Sequence, residues 1–200
     1  MKRVILIAII LAATIANAQD FQFGVKAGVN ISNFTGGNFD TVTNSALVGY
    51  HFGGLVRIKF DHFVIQPEVL FSTQGAKLKH AGVEADVKVN YITIPVMAQW
   101  QFNGGFYVEA GPQAAFKVKE DIPTTVNQLS TSDFAKSTDW SADFGLGYIF
   151  KSFGLGARYC VGLTKVGNGD NTQVYGDFKN GVLQFSIFYL FGVKEKKKAQ

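Results

Sequence analysis

Three carboxylates and three cations sit at alternate positions of otherwise apolar segments: Glu68, Glu109 and Asp143 against Lys26, Arg57 and Arg158. Brought together in a dry interior, such a set serves as a proton path, a selectivity filter or an acid–base site. It serves equally as a neutral network that holds a fold shut. Three against three cancels, which favours the network. Gln66, Gln99, Gln113 and Gln184 fall at similar depths along their segments and add hydrogen-bonding capacity to the same layers.

Other chemistry is poorly supported by the residues. His51, His62 and His80 fall respectively in a strand, a tight turn and a long connection, so they do not converge as a metal site or a catalytic dyad. The chain carries no Gly-x-Ser-x-Gly elbow, no His-Glu-x-x-His and no phosphate-cradling glycine loop. Catalytic candidates reduce to His80, Glu84, Asp86 and Asp133, in connections that would carry charge anyway. The expectation is a protein that is not an enzyme and holds no cofactor or metal.

The elements that position the six charges are legible from a period of two. Residues 21–31, 48–60, 63–71, 92–102, 106–116, 140–150, 153–163 and 183–191 alternate, with one parity free of charge and the other holding the polar set. Strict alternation reads as strands with one apolar face. The connections alternate too. Asp61-His62, Asn103-Gly104-Gly105 and Lys151-Ser152 are hairpin turns bracketed by phenylalanines, whereas 32–47, 74–90, 118–139 and 164–180 are long and rich in Gly, Asn, Asp, Ser and Thr. All long connections therefore emerge at one end, with both termini at the other.

An eight-stranded barrel has room inside only for packed side chains or one small ligand. The apolar parity, crowded with Phe, Tyr and Trp, does not fit there. The polar parity, which includes Gly24, Gly28, Gly53, Gly145, Gly147 and Gly154, does. The apolar face is therefore expected in lipid. Phe21, Phe63, Phe102, Phe106, Phe150, Phe153 and Phe191 gather at the short-turn end, and Tyr50, Phe52, Phe71, Phe116, Trp140 and Tyr159 toward the other, as two aromatic girdles. The fold expected is all-β, an eight-stranded antiparallel up-and-down transmembrane barrel. Pro67, Pro95 and Pro112 fall inside strands, where bulges or a register break are expected.

The ends fit export. Lys2 and Arg3, the apolar run 4–13 and Ala16-Asn17-Ala18 read as a signal peptide over residues 1–18 cleaved near Ala18, followed by a barrel domain at 19–193 and a basic tail at 194–200. The net charge of +4 is concentrated at these ends, so the basic balance does not point to nucleic acid. Cys160, the single cysteine, forms no internal disulfide and reads as a small packed thiol.

Several stretches carry a resemblance: Phe23-Gly24-Val25-Lys26-Ala27-Gly28-Val29-Asn30, Gln66-Pro67-Glu68-Val69-Leu70-Phe71-Ser72, Ile94-Pro95-Val96, Glu109-Ala110-Gly111-Pro112-Gln113 and Ala157-Arg158-Tyr159. Together they resemble the PorT-like family of small outer-membrane β-barrels. That resemblance implies location in the outer membrane of a Gram-negative bacterium and insertion by the barrel assembly machinery. The lysine-rich tail after Phe191 departs from barrels that finish on a terminal aromatic strand.

The function expected is that of a small monomeric barrel with a structural or interaction role. Outer-membrane lipid surrounds it, a polar network closes its interior, and a protein or glycan partner binds its long loops. The alternative is a narrow pore, or a transport- or secretion-associated component. A soluble lipocalin-like carrier ranks third, since the Gly-x-Trp signature near the first strand is missing.

Overall fold

The computed structural model describes residues 20–36, 43–80, 83–121, 136–165 and 178–192. The expected signal peptide, the tail 194–200 and Asp133 lie outside them. Eight strands run in chain order: β1 (Asp20–Gly36), β2 (Thr43–Phe60), β3 (Phe63–His80), β4 (Val83–Gln101), β5 (Phe106–Asp121), β6 (Thr138–Phe150), β7 (Phe153–Gly162) and β8 (Phe178–Phe191). Each pairs antiparallel with the next, and β8 closes on β1, so the described sheet is a closed barrel.

The short turns are built as their residues dictate. Asp61 and Lys151 open the two-residue turns at φ 53° and 54°, while Gly104 and Gly105 take φ 94° and 97° in the three-residue turn. These left-handed conformations match the hairpin twist.

Alternation places the apolar parity outside. Val25, Phe52, Phe144, Leu155 and Ile187 are each more than half exposed on the outer face. Ile58 is an exception, buried where it pairs with Phe21 on one side and Ile65 on the other. Within each aromatic girdle the rings are in contact: Phe153 and Tyr189 lie 4.9 Å apart between centroids, Tyr189 and Phe191 5.0 Å, and Phe52 and Phe71 5.4 Å near the other rim.

Two expectations need correction. Residues 74–90, expected as a long connection, are mostly strand, because β3 and β4 continue to His80 and from Val83. A membrane-crossing strand needs only about 9–11 residues. β3 and β4, with 18 and 19, extend beyond that length at the long-loop end. There the faces exchange polarity: Ala76, Val87 and Val89 point inward and are buried, while Lys77, Asp86 and Lys88 point outward. Water, not lipid, meets the outer face at that height, so the apolar-outward pattern ends while the ladder continues.

The prolines neither bulge the sheet nor shift its register. Pairing passes from Leu55↔Glu68 to Ile58↔Ile65, from Pro67↔Val96 to Leu70↔Thr93, and from Pro95↔Gln113 to Ala98↔Ala110, with the same register on either side of each gap. Each proline leaves a gap toward the preceding strand and pairs normally with the following one. A missing N–H faces one neighbour only, so one ladder is interrupted and the other is intact. The register does shift elsewhere, between Ala46 and His51 on β2 and between Asn90 and Tyr91 on β4.

Candidate functional site

The interior is stacked in layers. Next to the short turns, Leu55, Tyr107, Ile149, Phe188 and Leu190 form an apolar plug. Its position follows from parity, since Leu55, Tyr107 and Phe188 share the inward set with the charges. Glycines on neighbouring strands make room for it: a methyl at Gly154 would strike the Phe188 ring, and one at Gly147 the Tyr107 hydroxyl. At the far end the Phe34 and Phe178 rings meet at a tilt of 48°, 4.7 Å between centroids, and Leu47, Val87 and Tyr91 are fully buried.

Polar residues fill the middle. Glu68 on β3 accepts from Lys26 Nζ at 2.8 Å, from Gln66 at 2.7 Å and from Arg158 Nη2 at 2.8 Å; its second oxygen accepts from Arg158 Nη1 at 3.2 Å. Arg158 Nε donates to Glu109 at 2.8 Å. Arg57 donates to Gln22 and to Gln99, each at 3.1 Å, and Gln99 passes the chain on to Glu109 at 2.8 Å. The structure thus joins five of the six predicted charges in one buried network, Arg57 through the Gln99 amide. Asp143, also fully buried, stands apart and accepts from the Ser141 hydroxyl at 2.7 Å.

Every carboxylate of the central network has a cation or amide donor at hydrogen-bond distance. Charges removed from water are retained only when paired and hydrogen-bonded in this way. Because β3 and β7 are four strands apart around a closed ring of eight, the Arg158–Glu68 pair spans the barrel.

A second layer was not anticipated from the sequence. His51 Nδ1 lies 2.7 Å from Asn30 Oδ1, and His51 Nε2 lies 2.8 Å from the Ser186 hydroxyl. Asn30 Nδ2 donates to Tyr50 O, Thr73 O and Ser72 Oγ. In the sequence His51 stands apart from His62 and His80, and nothing in its own strand marks a partner. Its actual partners come from β1 and β8, which only closure of the barrel brings beside it; the inward parity of all three was the available signal. His62 lies in the turn beside Asp61 and edge-on to Trp100. The side chains of His80 and Glu84 lie outside the described residues. Asp86 faces outward between Lys77 and Lys88, each at 3.7 Å. Among the described residues no group of three or more His, Cys, Asp or Glu side chains is arranged to hold a metal.

Outside, a charge-free apolar belt bounded by aromatic girdles surrounds this polar interior, the inverse of a water-soluble protein. Residues 17–168 match the family model described as outer membrane protein beta-barrel domain. The chain belongs to that family. The match runs from the start of β1 through β7, leaving β8 to be supplied by the closed fold. Among solved structures the chain is similar to Neisserial surface protein A, with a TM-score of 0.52, 15% identity, and coverage of 84% of this chain and 97% of that one. It is also similar to the outer membrane protein OprG from Pseudomonas aeruginosa, with a TM-score of 0.48, 14% identity, and coverage of 87% and 97%. No curated sequence matches. Like other members of the family, the protein is a transmembrane barrel of the outer membrane.

Proposed function

We propose that this outer-membrane barrel is a closed, monomeric structural or interaction protein whose long-loop end is its binding surface. One observation carries the reading: the buried pair between Arg158 and Glu68 spans the interior from β7 to β3. The apolar plug of Leu55, Tyr107, Ile149, Phe188 and Leu190 lies in series with it. Charge pairing and a dry plug both oppose ion flow, so the task left to the molecule is at its rim.

The rim segments 37–42, 122–135 and 166–177, which would receive a protein or glycan partner, lie outside the described residues. The PorT-like motifs on β1, β3, β4, β5 and β7 support the same assignment, together with export by a signal peptide and insertion by the barrel assembly machinery. Planar bilayers test the closed interior. Purified protein is expected to give no steady conductance. Stable ohmic channels that persist after replacement of 122–135 by a short Gly-Ser linker would favour the narrow pore instead.

A further inference from the structure

The lipid-facing belt is not smooth. In the middle of β1 the outward residues are small: Ala27 pairs with Phe52 on β2 and with Ile187 on β8, and Val25 pairs with Gly54 and with Tyr189. A Cβ added at Gly54 would meet nothing nearer than Gly24 O at 3.9 Å, so the surface there is hollow. Large neighbours stand on both sides. Val25, Ala27, Phe52, Phe153, Ile187 and Tyr189 enclose a groove of about 430 Å³ over the β1–β8 junction that closes the sheet. Lys26, Gly53 and Phe188 line it too, and because the Lys26 and Phe188 side chains turn inward, what they contribute is a backbone floor.

The walls are held by ring contacts. Phe153 meets Tyr189 edge-on at 4.9 Å between centroids, and Phe52 packs on Phe71 at 5.4 Å. The first pair belongs to the short-turn girdle and the second to the opposite one, so the groove runs across the belt, as lipid tails do. Tails are as apolar as the side chains they touch, so exclusion from water does not favour one part of the belt over another. Shape does. A chain lying in the groove meets protein atoms on its floor and on both walls, and dispersion contacts that are small singly add up along it.

A cation stands beside one end of the groove. Lys151 is exposed in the turn between β6 and β7, and its Nζ lies over the Phe150 ring, 5.8 Å from the centroid. Phe150 pairs with Phe153, the wall residue at the short-turn end. The ammonium therefore sits at the edge of the belt, at the depth of lipid headgroups. We propose that this groove is a binding site for one phospholipid, with an acyl chain lying between Phe52 and the Phe153–Tyr189 pair and the headgroup phosphate on Lys151. The lipid is drawn from the leaflet on the short-turn side. It enters sideways from the bilayer, since the groove opens on the outer face.

The full chain tests this when folded in vesicles of phosphatidylethanolamine and phosphatidylglycerol that contain a trace of phosphatidylethanolamine with a diazirine in one acyl chain. After illumination, mass mapping is expected to place more adducts on Val25, Ala27, Phe52 and Ile187 than on Val108 and Leu146, which are exposed on the far side of the belt. Ala27→Phe fills the groove and brings its labelling down to the level of Val108 and Leu146. Lys151→Gln lowers the excess about fivefold, through loss of one lysine's attraction to the headgroup phosphate. Heat-modifiable gel mobility identifies folded variants, and the measurement on the unsubstituted protein needs none. Equal labelling of the groove and the far side would overturn the proposal. So would labelling of the groove below the far side, the result expected if a second copy of the chain covers it, or an excess that persists in Ala27→Phe or is unchanged in Lys151→Gln.

Discussion

Arg158 on β7 donates to Glu68 on β3 at 2.8 Å, across 90 residues of chain and the width of the barrel. Both side chains are at most 3% exposed, so neither charge has water as an alternative partner. The pair couples strands that share no ladder. It makes closure of the sheet and closure of the lumen one event, because Glu68 finds its guanidinium only when β7 has taken its place in the ring.

Removing the cation should therefore be severe. Arg158→Met leaves Glu109 with an amide donor but no cation and Glu68 with Lys26 as its remaining cation, and breaking a buried pair by removing one partner costs about 3–5 kcal/mol. Urea unfolding from lipid vesicles should show a loss of that size. Glu109→Gln in the same background should recover part of it, because Glu109 is the carboxylate left without a cation.

The ion pairs beyond the membrane should matter little. Lys77 and Lys88 flank Asp86 at 3.7 Å, and all three side chains are more than a third exposed. Asp86→Asn is expected to change unfolding free energy by less than about 1 kcal/mol, and the change should shrink at high salt. The same measurement on Arg158→Met supplies the contrast.

Charge on the outer face tests which solvent it meets. Ile187 is 63% exposed on β8. On a water-soluble protein, Ile187→Arg would be nearly neutral. In the hydrocarbon region an arginine costs about 2–4 kcal/mol. Folding yield and unfolding free energy in vesicles distinguish the two.

The apolar plug should resist an added methyl. At Gly154 it would collide with the Phe188 ring, which packs on Tyr107 at 6.5 Å between centroids. Gly154→Ala should destabilise the barrel by about 1–3 kcal/mol through overpacking. Phe188→Leu in the same chain should restore part of the loss.

Much of this was legible in the chain because a sheet writes its two faces into alternate residues. The strands, the outward phenylalanines, the short turns and the charges at Lys26, Arg57, Glu68, Glu109 and Arg158 all follow from parity. The partners did not follow, because parity gives a side chain its face and not its height. Asp143 shares the parity of Glu109 yet meets Ser141, and His51 meets Ser186 only through closure of β8 on β1. The length of β3 and β4 was hidden for another reason: above the bilayer the faces exchange polarity, and residues 74–90 lose the apolar-outward signature while keeping their ladder. At the prolines the sequence showed a missing N–H but not the side it faced, and that side decides between a bulge and a gap.

The account rests on lipid covering the apolar belt, and both tryptophans report on it. Trp100 and Trp140 are about half exposed on the outer face, one near each rim. In vesicles of lipids brominated on their acyl chains, fluorescence from both should be strongly quenched, while aqueous iodide should have little effect. Quenching by iodide with none from brominated lipid would contradict the account.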